Sequence, residues 1–339
     1  ILFDSVSGLE IPRTFGSLLT LSRDGSTLAS RNQRYVEVPG NDDYYMGGIQ
    51  IYKNVGDKWI ESSLINEEGN IRDLKLSENG STIVYSTTFK GGIVKILKNV
   101  NNNWIQVGSD INIDTSIYSL DISDDGKVVA IGSPSGEPNG RWSGYVKVYE
   151  NINNEFIQVG SDIEGELQFD QYGLNLDLSG DGSVVAIPSL RHESNRDYQR
   201  AYLHVYENVG GVWSKIGSEI IGEKAIDFPI GYNGVSLSQD GSIVAIGGIS
   251  QTLEGRPSSY VSIYKNTNNK WTKITSDINV VEAQYFTSYP SVRMSSEGST
   301  VAIGAIENDG NGEASGHVRV FSISKSDSTP DKDNSTENI

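Results

Sequence analysis

Apolar residues along this chain fall at every second position in short runs, and turn residues separate the runs. Ser119-Leu-Asp-Ile-Ser123 and Gly234-Val-Ser-Leu-Ser238 alternate at period two. Each leads into a turn of the form Ser-x-Asp-Gly, and an apolar run such as Val128-Val-Ala-Ile-Gly132 or Val301-Ala-Ile-Gly304 follows. Alternation on both sides of an Asp-Gly or Asn-Gly pair predicts a β-hairpin. No stretch carries apolar residues at a helical period, so the pattern predicts very little helix.

The hairpin recurs. Its turn stands at Ser22–Gly25, Ser77–Gly80, Ser123–Gly126, Ser179–Gly182, Ser238–Gly241 and Ser295–Gly298, with the glycines stepping by 55, 46, 56, 59 and 57 residues. A second hairpin follows in each unit. Its first strand is Gly48-Ile-Gln-Ile-Tyr52, Tyr145-Val-Lys-Val-Tyr149 or Val261-Ser-Ile-Tyr264. An asparagine then precedes an aromatic residue by five: Asn54–Trp59, Asn99–Trp104, Asn151–Phe156, Asn208–Trp213 and Asn266–Trp271. The closing strand runs on from the aromatic, as in Trp104–Ile111 and Phe156–Ile163.

Six units of four short antiparallel strands predict an all-β fold, a six-bladed β-propeller whose blades pack face to face around an axis. Unit six ends at Ile323 and has three strands, while the apolar segment Ile1–Ile11 resembles the missing fourth. The expected organisation is a single propeller over 1–323, with blade six made of 285–323 plus the strand 1–11. This N-terminal strand then closes the last blade. The polar, charged tail 324–339 has the composition of a linker.

Composition narrows the function classes. With 44 acidic against 27 basic residues and a formal charge of −17, the chain is a poor match for nucleic acid or an anionic membrane surface. It has no cysteine, which removes disulfides, thiol nucleophiles and cysteine-ligated metals. No window approaches a membrane span, so membrane insertion is not expected. The chain starts at Ile1 rather than Met, as it would after removal of a leader.

The three repeated motifs resemble the FG-GAP type of propeller repeat found in the head of integrin α chains. They are closer still to repeats of microbes and large DNA viruses that share an LSxDGxxxAIG run, a GxVxVYEN strand and a WxQxGxDI strand. The resemblance covers about residues 1–323. It implies surface adhesion outside the cell or on a virion, with calcium loops in the integrin members. The turns here depart from that pattern, because each offers one acid followed by glycine where a calcium loop needs about five oxygen donors. The nearest approach to such a loop is Asp309, Asn311 and Glu313, which also fits a plain polar loop. No metal and no cofactor are expected.

Both repeated turns lie on one rim, so the longer connections gather on the other, where a rigid scaffold commonly carries its binding surface. Trp59, Trp104, Trp213 and Trp271 hold the repeated position and are expected to pack between blades. Trp142, in the loop Asn139–Ser143, stands outside the pattern and is a candidate interface anchor, with Tyr44 and Tyr45 on a neighbouring loop. Arg191, His192, Arg196, Tyr198, Arg200 and Arg256 are the further candidates on this rim. Their four arginines fit an anion pocket, and more simply fit ion pairs with Glu193, Asp197 and Glu254.

Catalytic signals are thin. The three histidines have no metal-ligand spacing, and there is no nucleophile elbow, P-loop or dinucleotide fingerprint. Carboxylates for glycoside hydrolysis would have to come from distant loops, and Asp42, Asp43, Glu137, Glu193 and Asp197 are more simply solvated loop acids. Asn79 and Asn334 match the glycosylation pattern by two short stretches. The expected function is a non-enzymatic binding module for a protein or glycan, on the long-loop rim. Two alternatives stay open: a hydrolase or lyase acting on an anionic carbohydrate in the axial funnel, and a structural surface or virion protein.

Overall fold

A computed structural model describes residues 18–36, 44–67, 69–88, 92–192, 199–222, 234–251, 257–282, 290–305 and 316–323. For 34–36, 44–46, 191–192, 199–200, 249–251, 257–258 and 280–282 the backbone alone is described. The strands form six antiparallel sheets arranged as a six-bladed β-propeller. Blade one is β1 (Leu19–Leu21), β2 (Thr27–Val36), β3 (Tyr44–Val55) and β4 (Lys58–Asn66). Blade two is β5 (Ile71–Leu76), β6 (Thr82–Thr87), β7 (Gly92–Val100), β8 (Asn103–Gln106) and β9 (Ile111–Ile113). Blade three is β10 (Ser119–Ile122), β11 (Val128–Ser133), β12 (Tyr145–Ile152), β13 (Glu155–Gln158) and β14 (Ile163–Glu164). Blade four is β15 (Asp177–Leu178), β16 (Val184–His192), β17 (Gln199–Val209), β18 (Val212–Lys215) and β19 (Ile220–Ile221). Blade five is β20 (Val235–Leu237), β21 (Ile243–Gln251), β22 (Pro257–Asn266), β23 (Trp271–Lys273) and β24 (Ile278–Glu282). Blade six has three described strands, β25 (Ser291–Met294), β26 (Thr300–Ala305) and β27 (His317–Ser322). The segment Ile1–Ile11, expected to supply its fourth, lies outside the described residues, as does the tail 324–339.

The first hairpin turn is wired by its own side chains. In blade four the Ser179 hydroxyl donates to Asp181 Oδ1 at 2.7 Å and accepts from the Val184 amide at 2.8 Å. Asp181 Oδ1 also accepts from the Ser183 amide at 2.9 Å, and Gly182 closes the turn at φ +76°, where a Cβ would be strained. The second hairpin turns through two residues that both have positive φ, such as Asn101 and Asn102 or Asn153 and Asn154, the signature of a type I′ turn. The asparagine of the repeat explains itself here. Asn99 Oδ1 accepts from the Asn102 amide, and Asn151 Oδ1 from the Asn154 amide, each at 2.9 Å.

The closing strand differs from its expected form. In blades two to five it is broken, so β8 and β9 both pair with β7, β13 and β14 with β12, β18 and β19 with β17, and β23 and β24 with β22. Leu97 faces Gln106 while Val94 faces Ile111, so the outer strand carries two extra residues, a bulge that bends the blade edge. Gly108, Gly160 and Gly217 occupy the bulge at φ near +70° to +75°, and the next blade packs on it. Trp213 Nε1 donates to Val159 O and Trp271 Nε1 to Ile216 O, both at 2.9 Å, while Trp104 Nε1 donates to Ser63 Oγ at 3.0 Å. These three repeated tryptophans therefore pack between blades as expected.

Among the described residues the core consists of five separate buried clusters, each made by the facing sheets of two neighbouring blades. Alternation lets a strand serve two clusters: Ala130 faces blade four, whereas Val129 and Ile131 face blade two. On the long-loop rim, hairpin pairing continues into three of the connections, to Val36–Tyr44, His192–Gln199 and Gln251–Pro257. Blades one, four and five thus project as strand arms.

Candidate functional site

Two features of the molecule carry chemistry: the axial channel and one aromatic platform on the long-loop rim. The channel is lined by the innermost strand of each blade. Two residues before the turn serine stand Thr20, Lys75, Asp121, Asp177, Ser236 and Arg293, one per blade in ring order. The ring is polarised. Lys75 and Arg293 are its two cations, and both act on the adjacent carboxylates Asp121 and Asp177.

These carboxylates also join blades. Asp121 Oδ2 accepts from the Leu178 amide at 2.8 Å, and Asp177 Oδ2 from the Leu237 amide at 2.6 Å. Asp73, which pairs with Lys75 at 3.1 Å, accepts from the Leu120 amide at 2.8 Å. Inner strands are sheet edges with unpaired amides, and the side chain of the preceding blade satisfies them. Solvent still reaches Asp121 and Asp177 along the channel, yet protein encloses both carboxyl groups. That enclosure pushes Asp177 up to about 7, with the neighbouring Asp121 charge adding to the rise against the pull of Arg293. Burial raises Asp121 as well, partly offset by Lys75, the Leu178 amide and Arg293.

At the tight-turn end the axis is spanned. Asp124 of blade three accepts from Arg23 of blade one at 2.8 Å and from Gln239 Nε2 of blade five at 2.7 Å. Gly180 makes the room, because a Cβ there would collide with the Asp124 carboxylate and the Gln239 side chain. The channel is therefore bridged on the turn side, and its other mouth faces the long-loop rim.

The platform sits on that rim. Trp142 is 43% exposed, yet its backbone is held at φ +53°. Its carbonyl accepts from the Gln171 amide at 3.0 Å, while Phe169, at φ +67°, donates its amide to Arg141 O at 2.8 Å. The Trp142 and Phe169 rings meet edge to face at 6.2 Å, and the Arg141 guanidinium lies 5.0 Å from the Trp142 ring centre. A further exposed apolar side chain, Leu167, precedes Phe169 by two residues. Three non-glycine residues in the left-handed region, Trp142, Phe169 and Gln171, lie within these two loops and outside the repeated turns.

Of the rim residues singled out from sequence, Trp142 is the one whose side chain the structure describes, and it is indeed presented to solvent. Tyr44 and Tyr45 lie on β3 in the arm of blade one, opposite Val36 and Tyr35. Arg191 and Arg200 face each other across the arm of blade four, with His192 beside them opposite Gln199. For these five the backbone alone is described. Arg196, Tyr198, Arg256, Asp309, Asn311 and Glu313 lie outside the described residues. Among the described residues no group of three or more His, Asp or Glu is placed to hold a metal, and no helix is long and apolar enough to cross a membrane. Sequence reasoning missed Arg141 and Phe169, and it missed the axial ring. Stacking the six inner strands on their turn serines would have found the ring.

No family model matches the chain, and no curated protein matches it. Solved structures do match in fold. Hsv2 of Kluyveromyces lactis aligns with a TM-score of 0.55 at 13% identity, over 91% of this chain and 73% of that one. The β-propeller domain of the Trilobed protease from Pyrococcus furiosus, which has an open velcro topology, aligns at 0.55 and 12%, over 90% and 81%. KlAtg21, solved in complex with the coiled coil of AgAtg16, aligns at 0.57 and 12%, over 90% and 80%. At these identities the likeness is one of fold.

Proposed function

We propose that the protein is a non-enzymatic binding module, built from FG-GAP-like repeats, that recognises a protein or glycan on its long-loop rim. Trp142 carries the reading. An indole that is exposed, held in a left-handed backbone by a neighbouring loop and braced by Phe169 and Arg141 is an aromatic face offered to a ligand. Such conformations cost about 1–2 kcal/mol per residue and persist where the surroundings enforce them. A flat aromatic face beside a guanidinium suits a sugar ring bearing an acceptor group, or a protein side chain. A propeller of similar fold captured with a coiled coil supports the protein half of the reading. The setting we propose is a cell surface or virion.

The test is a glycan array together with a pull-down from the source organism, using the wild type and Trp142→Ala. A ligand retained by the wild type and weakened at least tenfold in the variant, at unchanged melting temperature, supports the reading. Equal retention by both overturns it.

The axial pair Asp121 and Asp177 favours a second reading, a hydrolase or lyase acting on an anionic carbohydrate held by Lys75 and Arg293. Two enclosed carboxyl groups side by side, both raised by burial, offer the proton donor and acceptor that glycoside cleavage needs. New reducing ends from acidic polysaccharides, abolished by Asp177→Asn, would establish it. Their absence from both proteins removes it.

A further inference from the structure

Blade four keeps open a recess that blade three closes. In blade three the Ser133 hydroxyl donates to Ser116 O at 3.0 Å and meets the Thr115 hydroxyl, which reaches Tyr145 Oη at 2.8 Å. Ser189 holds the same place relative to its turn serine, Ser179, as Ser133 does to Ser123, and Tyr202 faces it as Tyr145 faces Ser133. The residues that match Thr115 and Ser116 are Gln171 and Tyr172. Gln171 is bent into the left-handed region at φ +53°, and neither residue reaches the serine. Ser189 is 3% exposed, and its hydroxyl has no hydrogen-bond partner among the described residues. A hydroxyl left unpaired inside a fold is a standing cost, which a ligand can relieve.

The recess beside it measures about 210 Å³, counting the solvent at its mouth, and its enclosed part has room for one group the size of a water molecule. Asp170, Gln171, Asn175 and Ser189 form its polar wall, and Leu174, Pro188 and Leu190 its apolar wall. The wall is fixed before any ligand arrives. Buried Asp170 accepts from the Leu167 amide at Oδ2, at 2.9 Å, and from the Leu190 amide at its carbonyl, at 3.1 Å. Asn175 Oδ1 accepts from the Leu176 amide at 2.9 Å. The Gln171 amide donates to Trp142 O at 3.0 Å, which ties the recess to the aromatic platform.

The chemistry of the wall selects the occupant. Its hydroxyl and two side-chain amides both donate and accept, while its carboxylate accepts. An anion would meet the Asp170 charge, and an ammonium would offer nothing to the amide donors. A hydroxyl gives a proton on one side and takes one on the other, and the apolar wall suits the carbon that carries it. A pyranose ring is larger than the enclosed space, but its hydroxymethyl arm is not. We propose that the recess is a specificity pocket for the primary hydroxyl of a hexose, with Ser189 Oγ hydrogen-bonded to it and the Asp170 carboxylate at the acceptor end. This rests on the glycan half of the rim reading and names the part of the sugar that is read. A sugar without that hydroxyl leaves Ser189 unpaired, and a uronic acid sets a second carboxylate against Asp170.

The probes are the methyl glycosides of glucose, galactose and mannose, with their 6-deoxy and uronic acid counterparts, titrated into the full chain by ligand-observed NMR. At least one hexoside should bind, its 6-deoxy form at least about tenfold more weakly and its uronic acid not detectably. Ser189→Val fills the recess with carbon and should abolish binding at an unchanged or higher melting temperature. Ser189→Ala, which adds no bulk, should weaken binding about tenfold and serves if the valine variant unfolds. Binding by none of the hexosides overturns the proposal. So does equal binding of a hexoside and its 6-deoxy or uronic acid form, or full binding by a folded Ser189 variant. Trp142→Ala separates the pocket from the platform. Binding lost in Ser189→Val but kept in Trp142→Ala supports the pocket and removes the platform, and the reverse pattern keeps the platform and overturns the pocket.

Discussion

Trp271 Nε1 donates to the Ile216 carbonyl at 2.9 Å, so the aromatic residue of blade five is anchored on the bulge of blade four. The indole is buried and belongs to the cluster between those blades. Trp271→Ala removes that volume and leaves the carbonyl unpaired, so it should cost about 3–5 kcal/mol. Urea unfolding monitored by circular dichroism measures this. A loss below about 1 kcal/mol would show that the junction does not rest on the indole.

The turn serines make a second prediction. Ser179 is buried and its hydroxyl both accepts from Val184 and donates to Asp181. Ser179→Ala strands the buried Val184 amide and should cost about 1–3 kcal/mol. Ser183→Ala, on the exposed side of the same turn, should cost well under half as much. Equal losses would contradict the wiring described.

Stability should depend on pH through two opposed sets of acids. Burial alone would raise Asp24, Asp125, Asp181 and Asp240, but hydrogen bonds from their own turns outweigh it and hold these carboxyls below the ordinary range. Their contribution is complete above about pH 4 and is lost on acidification. Asp177 has the opposite sign. Its folded pKa of about 7 lies above its unfolded value, so the folded state holds the proton more tightly. That contribution is complete below about pH 4 and disappears as pH rises through 7. The melting temperature should therefore fall between about pH 4 and 7 in the wild type and flatten in Asp177→Asn, which keeps an acceptor for the Leu237 amide. Parallel slopes in the two proteins would rule out Asp177 as the source.

Trp142 should separate stability from recognition. Glycine adopts φ +53° without the penalty that a Cβ brings, so Trp142→Gly should leave the fold as stable or up to about 1 kcal/mol more stable. The same change should abolish ligand retention. A destabilisation above about 1 kcal/mol would make the indole a packing residue.

The local parts of this molecule are legible in its sequence because their causes are local. A serine, an acid and a glycine within four residues make the first turn, and an asparagine with two left-handed residues makes the second. Repetition of both, with alternating runs between them, determines six blades. The bulge was not legible, since the room at Gly108 is set by the hairpin of the next blade, where a Cβ would come within 3.1 Å of Asn154 and Glu155. Nor were the groups that meet across the ring. Arg23 reaches Asp124 over 101 residues of chain and Gln239 reaches it over 115, while Trp142 meets Phe169 from a separate loop. The enclosure that holds a proton on Asp177 depends on how near the blades come to one axis. Charge interactions and burial follow distance in space, and only the curling of the blades into a ring decides that distance.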